Sequence, residues 1–349
     1  MNIKHTFLSL LAAGIVPAAF LAGCGREDAS APVLRVGYQQ GGSSTLPMIA
    51  RNEGYFDRSG IRTDFVLFTN SSDGLNALNA GKLDIGVSFG TGGPLTFISK
   101  GSKFVIIGGN LSGGHPILTK PEHADEYKSI EDFKGKTVGT PRIFTSDVVF
   151  RGALFEAGID PEKDLTIVEF KRPVDVLEAV KSGTVDVGVG ATNIIGQSVQ
   201  AGLASPLWSN DLSPNHPCCR IVVTEEALQK YRPELVKFLK AELLAEKKFS
   251  EDPQSGVRAD VDQQKFSEKL ASDLVLNPHL QFSVDPNRKG VEAMWAHMKK
   301  MFEARGDHGP RREGKGPREF KGQRKGLHGE KGPRKGRGRG AAASSPEAK

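Results

Sequence analysis

The sequence predicts an α/β protein of two similar lobes, each a mostly parallel sheet flanked by helices, and three observations carry the prediction. Short apolar runs alternate with helical patterns along the body of the chain, the order that produces parallel strands joined by right-handed crossovers. The chain also aligns with itself without a gap at an offset of 102 residues, 34–90 against 136–192. Val36, Gly37, Ser44, Val66, Phe68, Asp73, Leu75, Ala77, Gly81, Asp84, Gly86 and Val87 all meet identical residues there, at strand ends, helix starts and helix stops. Finally, 349 residues with 38% hydrophobic and 25% charged content suit a globular protein of about two domains, at roughly 100–200 residues per domain.

In the first copy, residues 34–38 read as a strand, 45–56 as a helix, 63–68 as a strand, 72–80 as a helix stopped by Gly81, and 83–87 as a strand. The second copy repeats this over 136–140, 146–157 with Gly158, 165–170, 174–182 with Gly183, and 185–189. Between them 104–107 is a further apolar strand, followed by a Gly-rich stretch and Pro116-Ile117-Leu118-Thr119. Residues 220–224 are β-branched and read as a strand returning to the first lobe; helices follow over 225–250, 262–276 and 288–303. Met294, Met298 and Met301 share one face of the last helix, a core stripe. These helices have no counterpart in the repeat and are expected to pack on the first lobe. The expected organisation is lobe 1 over 33–115 plus 220–304 and lobe 2 over 116–219.

The net charge of +6 belongs to one end of the chain. Residues 305–349 hold 14 Lys+Arg against 5 Asp+Glu, which leaves 33 against 36 in residues 1–304. A mildly acidic body excludes nucleic acid as its partner. Residues 305–340 contain 11 glycines and a single aromatic, Phe320, so this tail cannot bury enough apolar surface to fold. It reads either as a solubilising appendage or as a segment that meets anionic lipid headgroups or envelope polymers.

Residues 1–23 read as an export leader, with Lys4 and His5 ahead of an apolar stretch over 7–21 that is shorter than the roughly 20 residues of a membrane-spanning helix. The following 24–32 are polar and breaker-rich, a tether. Leu21-Ala22-Gly23-Cys24 resembles the bacterial lipobox, which implies diacylglycerol on the Cys24 sulfur and a membrane anchor. The alternative is an ordinary secretory leader in which Cys24 is incidental.

In open parallel sheets ligands bind beyond the carboxyl ends of the strands, where helix N-termini present unpaired N–H groups. Two such lobes facing each other make a cleft lined by 39–44, 69–72 and 88–93 from the first and 141–146, 171–173 and 190–193 from the second. The order of elements, Leu34-Arg35-Val36-Gly37-Tyr38-Gln39 and Leu78-Asn79-Ala80-Gly81-Lys82-Leu83-Asp84-Ile85-Gly86-Val87 resemble the extracytoplasmic solute-binding proteins of ABC importers. The particular group is the one serving nitrate, taurine, aliphatic sulfonates and thiamin-pyrimidine precursors, over about residues 33–303. The resemblance implies the two-lobed periplasmic-binding-protein type II architecture, hinge closure on the solute, delivery to an ABC permease, an extracytoplasmic location, a monomer, no cofactor and no catalysis.

The candidate ligand residues are Gln39, Ser43, Ser44, Asn70, Ser71, Ser88 and Phe89 from the first lobe and Arg142, Thr145, Ser146 and Asn193 from the second. An anionic head is expected on the N–H groups at Ser44 and Ser146 with Arg142 as counter-ion, and Tyr38, Phe68, Phe89 and Phe144 covering an apolar tail. N-capping is the alternative role of the two serines; Lys171 and Arg172 read as surface residues.

Other signals point elsewhere. Gly86-Val87-Ser88-Phe89-Gly90 matches G-x-S-x-G, the turn of a hydrolase nucleophile, with His279 or His297 as the candidate base. The repeat argues against it, since the equivalent segment is Gly188-Val189-Gly190-Ala191-Thr192. His216-Pro217-Cys218-Cys219-Arg220 reads as a structural or hinge-lining stretch, with a vicinal disulfide, free thiols, cleft contact or a soft metal as its alternatives. Thiamin-pyrimidine precursor binding or synthesis, and an extracytoplasmic sensor on the same scaffold, also stay open.

Overall fold

A computed structural model describes residues 32–142 and 144–304; the leader, Cys24 and the tail of residues 305–349 lie outside them. The first copy of the repeat runs β1 (Val33–Tyr38), α1 (Thr45–Asn52), α2 (Tyr55–Arg58), β2 (Arg62–Leu67), α3 (Ser71–Asn79) and β3 (Ile85–Gly86), after which α4 (Gly92–Ser99) leads into the long β4 (Phe104–Gly113). The single helix expected over 45–56 is two, because Gly54 takes a left-handed φ of 65° between them. The second part runs β5 (Pro116–Thr119), β6 (Thr137–Pro141), α5 (Thr145–Glu156), β7 (Thr166–Phe170), α6 (Pro173–Ser182), β8 (Val187–Val189), α7 (Ile195–Gln200), β9 (Ala204–Trp208) and α8 (Ser209–Leu212). The chain then returns through β10 (Pro217–Thr224), α9 (Glu225–Lys230), α10 (Arg232–Glu251), α11 (Gln254–Gln264), α12 (Glu268–Val275), β11 (Leu280–Phe282) and α13 (Arg288–Ala304).

Two sheets result, ordered β11-β4-β10-β3-β1-β2 and β7-β6-β8-β5-β9. The repeat is visible in both, as β3-β1-β2 and β8-β6-β7, parallel and in the same order. Gly37 pairs with Gly86, and 102 residues on Gly139 pairs with Gly188. The Asp84 carboxylate accepts the backbone N–H of Arg35 at 2.8 Å, and Asp186 accepts that of Thr137 at 2.8 Å. The duplicated aspartate therefore pins the same strand pair twice.

Outside the repeated part the pairing is antiparallel, so each sheet is mixed. β10 inserts between β3 and β4 and runs against both, β11 runs against β4, and β5 runs against β8 and β9. β10 begins at Pro217, so Cys218 and Cys219 already belong to the first sheet. Two edge strands, β9 and β11, went unread in the sequence: β9 carries Pro206, tolerated at an edge, and β11 is three residues long.

Beneath the first sheet, Leu34, Val36, Ile85, Ile221 and Val223 pack against α1, α2 and α10, with the Phe56 and Phe238 rings stacked at 4.9 Å. α10 and α11 hold to α1, as expected. The last two helices do not stay with the first sheet. α12 packs on α7, where Gly196 gives Leu270 room, and α13 lays Met294, Met298 and Met301 on Val148 and Val149 of α5 and on Leu95 of α4. The methionine stripe is core, as read, but it covers helices from both halves of the chain. His297 bonds Glu156 at 2.9 Å across the same contact.

Glu242 of α10 is fully buried in the first core, and neither carboxyl oxygen has a hydrogen-bond partner in the protein. Burial pushes its pKa well above the ordinary carboxylate value and so favours the protonated form. Glu242→Met is expected to raise stability by about 1–3 kcal/mol, the cost of one unsatisfied buried polar group. An unchanged urea midpoint would show that the carboxyl is satisfied.

Candidate functional site

The loops after β1 and β3 and those entering α5 and leaving β8 converge on a cavity holding ≈ 590 Å³ of empty space, part of it open to solvent. Gln39, Ser43, Ser71 and Ser88 line it from the first sheet's side, and Phe144, Thr145, Thr192 and Asn193 from the second's. His115, Cys218 and Cys219 also line it, and no Lys, Arg, Asp or Glu does. Burial, then the neighbouring His216, lowers the His115 pKa well below that of free imidazole, so His115 is neutral as well.

Local hydrogen bonds set these groups in place. The Gln39 N–H donates to Ser88 Oγ at 2.7 Å, and Ser71 Oγ donates to Gln39 Oε1 at 2.6 Å, which aims the amide. Thr145 Oγ1 accepts from the N–H groups of Thr91 and Gly92 at 2.8 and 3.2 Å and donates to the Cys218 carbonyl at 3.0 Å. One hydroxyl from the second half of the chain thus satisfies the start of α4 and ties it to β10. Gly41 turns the chain from β1 into the first helical segment with φ 136°, and its N–H is held by Gln264 Oε1 at 2.8 Å. Gln264 Nε2 in turn donates to Asp260 Oδ1 at 2.7 Å, while Thr45 Oγ1 donates to Asp260 Oδ2 at 3.0 Å. Burial raises the Asp260 carboxyl to about 7.

Seven of the eleven expected ligand residues line the cavity: Gln39, Ser43, Ser71, Ser88, Phe89, Thr145 and Asn193. Phe89 does so only marginally, since its ring is 2% exposed and fills the space left by Gly37, Gly74 and Gly86. A Cβ at Gly86 would stand 2.7 Å from that ring. Phe68 meets Phe89 edge-on at 5.7 Å and Tyr38 meets Phe65 at 5.9 Å, so both are core residues and not a tail cover. Phe144 does line the cavity.

Four of the expected residues, Ser44, Asn70, Arg142 and Ser146, are not among those lining the cavity. Ser44 is fully buried and donates to the Gln39 carbonyl at 2.7 Å. Ser146 is buried as the second residue of α5. Neither serine caps its helix by a side-chain bond, because a 3₁₀ turn at Gly42–Ser44 precedes α1 and α5 already begins at Thr145. Asn70 caps α3 instead, accepting the Asp73 N–H at 2.9 Å. Arg142 points outward: its side chain is 65% exposed and lies 3.6 Å from Glu169, so it is no counter-ion of the cavity. Arg172 is a surface residue, paired with Asp175.

The hydrolase reading is overturned by placement. Among the described residues no hydrogen bond joins Ser88 to a histidine: Ser88 Oγ is held by Gln39, His297 is bonded to Glu156, and His279 stacks on Trp208 at 4.2 Å. His115 was not foreseen, because it lies between β4 and β5 outside the repeat. No group of three His, Cys, Asp or Glu side chains among the described residues could hold a metal ion.

A family model described as NMT1/THI5 like matches residues 43–255. The chain belongs to this family. A binding protein of Brucella abortus is 28% identical over 239 residues, 67% of this chain and 70% of that one. Among solved structures, the NMT1/THI5-like chain is similar to the periplasmic aliphatic sulphonate binding protein SsuA of Escherichia coli, with a TM-score of 0.65 and 19% identity over 81% of this chain and 95% of that one. The ligand-binding component of an ABC-type import system from Staphylococcus aureus, solved with zinc bound, gives 0.66 and 18% over 78% and 92%. The nitrate-binding protein NrtA of Synechocystis PCC 6803 gives 0.59 and 15% over 70% of each chain. The fold is that of these periplasmic binding proteins.

Proposed function

We propose that this chain is the extracytoplasmic solute-binding component of an ABC importer, tethered through a lipid on Cys24, and that it captures a small organic anion of the sulfonate, taurine or nitrate kind. The observation that carries the reading is a cavity lined from both sheets by hydrogen-bonding groups, with no Lys, Arg, Asp or Glu among them, at the carboxyl ends of the repeated strands. Phe144 and Thr145 bring the N-terminus of α5 to this cavity, and that terminus has no side-chain cap, so its first-turn N–H groups are donors for an oxyanion. Asp147 in the same turn is neutralised by Arg151 at 2.7 Å. The similarity to a sulphonate-binding and a nitrate-binding protein supports the ligand class. Two lobes, one built on each sheet, would close on the solute, which stabilises the closed form by its difference in affinity for the two states.

A thermal-shift screen with sulfonates, taurine, nitrate and pyrimidines tests this reading. A ligand at 100 times its dissociation constant adds about 2.7 kcal/mol. Gln39→Ala and Asn193→Ala are each expected to weaken the hit at least tenfold, whereas Arg142→Ala leaves its affinity within about twofold, since one hydrogen bond to a charged group contributes about 1.5–3 kcal/mol and Arg142 makes none to the cavity. A hit that survives both cavity substitutions, or a pyrimidine hit alone, removes the anion assignment.

A further inference from the structure

We propose that Cys218 and Cys219 form a thiol-exchange site opening on the cavity, with Cys219 as the attacking thiolate, Cys218 as the resolving thiol, and small disulfides as the reagents they take. The proposal rests on the solute-binding reading for access alone, since both thiols line the cavity and are otherwise buried. The sulfur atoms are 3.4 Å apart as free thiols.

The surrounding groups define the roles. His216 Nδ1 lies 2.7 Å from the Ser213 carbonyl, which can only accept, so that nitrogen carries a proton and Nε2 of the neutral ring is an acceptor. His115 Nδ1, 3.1 Å from His216 Nε2, must then donate, which leaves His115 Nε2 as an acceptor 3.2 Å from Cys218 Sγ. Cys218 is thus a thiol whose proton has a base beside it. The next residue in β10, Arg220, is 1% exposed and hydrogen-bonds to the carbonyls of Asp285 and Leu111 and to the Ser112 hydroxyl, with no carboxylate among these partners. The Asp285 carboxylate acts on Arg220 from a distance, and a thiolate at Cys219 would be a second negative charge beside it. The Cys218 thiol, and after it Ser43 and the Gly90 backbone, hold the Cys219 pKa below its ordinary value, while burial pushes Cys218 up.

In the first step the Cys219 thiolate attacks one sulfur of R–S–S–R, forming a mixed disulfide and releasing RS⁻. Cys218 then gives its proton to His115 Nε2 and attacks Sγ of Cys219, releasing the second RS⁻. In sum, the Cys219 thiolate and the Cys218 thiol are oxidised to one disulfide, R–S–S–R is reduced to two thiolates, and the proton taken up by His115 Nε2 passes to one of them as R–SH leaves. Adjacent Cα atoms stand about 3.8 Å apart, below the roughly 4.4–6.8 Å that disulfides prefer, so the product is strained and readily reduced again.

The test treats the reduced full chain with bis(2-hydroxyethyl) disulfide, blocks free thiols with iodoacetamide and digests with trypsin. Both cysteines fall in the peptide that ends at Arg220, which excludes Cys24. Expected for the wild type is a peptide two hydrogens lighter and unalkylated, restored by dithiothreitol. Cys218→Ser is expected to stop at a hydroxyethyl adduct on Cys219, and Cys219→Ser to react at least tenfold more slowly than the wild type. A wild-type peptide that keeps two alkylatable thiols or ends as a lasting mixed disulfide overturns the proposal, as does full reactivity in Cys219→Ser. The wild-type reading needs no variant to fold, and it uses no transported solute, so its failure leaves the solute assignment standing.

Discussion

Thr145→Val is expected to destabilise the protein by about 2–4 kcal/mol. The substitution keeps the shape and removes one hydroxyl, but that oxygen accepts from two buried backbone N–H groups, Thr91 and Gly92, and donates to the Cys218 carbonyl. A buried donor left without its acceptor costs about 1–3 kcal/mol. The Cys218 carbonyl keeps the Thr91 hydroxyl at 3.1 Å, so the loss falls on the start of α4. Thr145→Ser retains the oxygen and should stay within about 1 kcal/mol of the wild type, apart from the lost methyl. Guanidinium unfolding of the three proteins decides it: equal midpoints for the Val and Ser variants would mean that the hydroxyl bridge is dispensable. Because Thr145 also lines the cavity, the Val variant should weaken the screened solute along with the fold.

The second large effect is a pH dependence centred on Asp260. Its carboxyl titrates near 7 in the folded protein, raised by burial from an ordinary value of 3.8. Between these values the folded state holds a proton that the unfolded chain has released, so folding takes up a proton and stability falls as pH rises. This contribution is fully present below about pH 4, is lost progressively up to about 7, and is constant above. Three pH units at 1.36 kcal/mol each make the total about 4 kcal/mol. Asp260→Asn imitates the protonated acid toward Thr45 and Gln264, so the variant should gain on the wild type by roughly that amount between pH 4 and pH 8. Parallel stability curves for the two proteins would rule out the raised carboxyl. Since Gln264 also holds Gly41 at the cavity edge, ionisation of Asp260 acts on the binding loop as well as on the core.

Much of this architecture is legible because the chain says it twice. Gly37 with Gly86, Asp84, and the helix-stopping Gly81 recur at Gly139, Gly188, Asp186 and Gly183, and each pair does the same work in its own sheet. The loops at the strand ends followed from that order, and with them Gln39, Ser43, Ser71, Ser88, Thr145 and Asn193. The failures are of another kind. Residue types at a loop do not say whether a side chain turns in or out: Arg142 found Glu169, Ser44 found the Gln39 carbonyl, and Asn70 found its own helix. His115 and the thiols fall outside the repeat, so no internal copy pointed to them.

The sequence by itself determined the duplicated α/β unit, the core stripes and the position of the cavity, because periodicity and turn residues act over a few neighbours and recur with the repeat. Only the tertiary structure decided that β10 passes between β3 and β4, that α12 and α13 reach helices of the second half, and that no Lys, Arg, Asp or Glu lines the cavity. Those outcomes depend on contacts between residues far apart along the chain. There, packing area and hydrogen-bond satisfaction are settled jointly by groups that no local pattern connects.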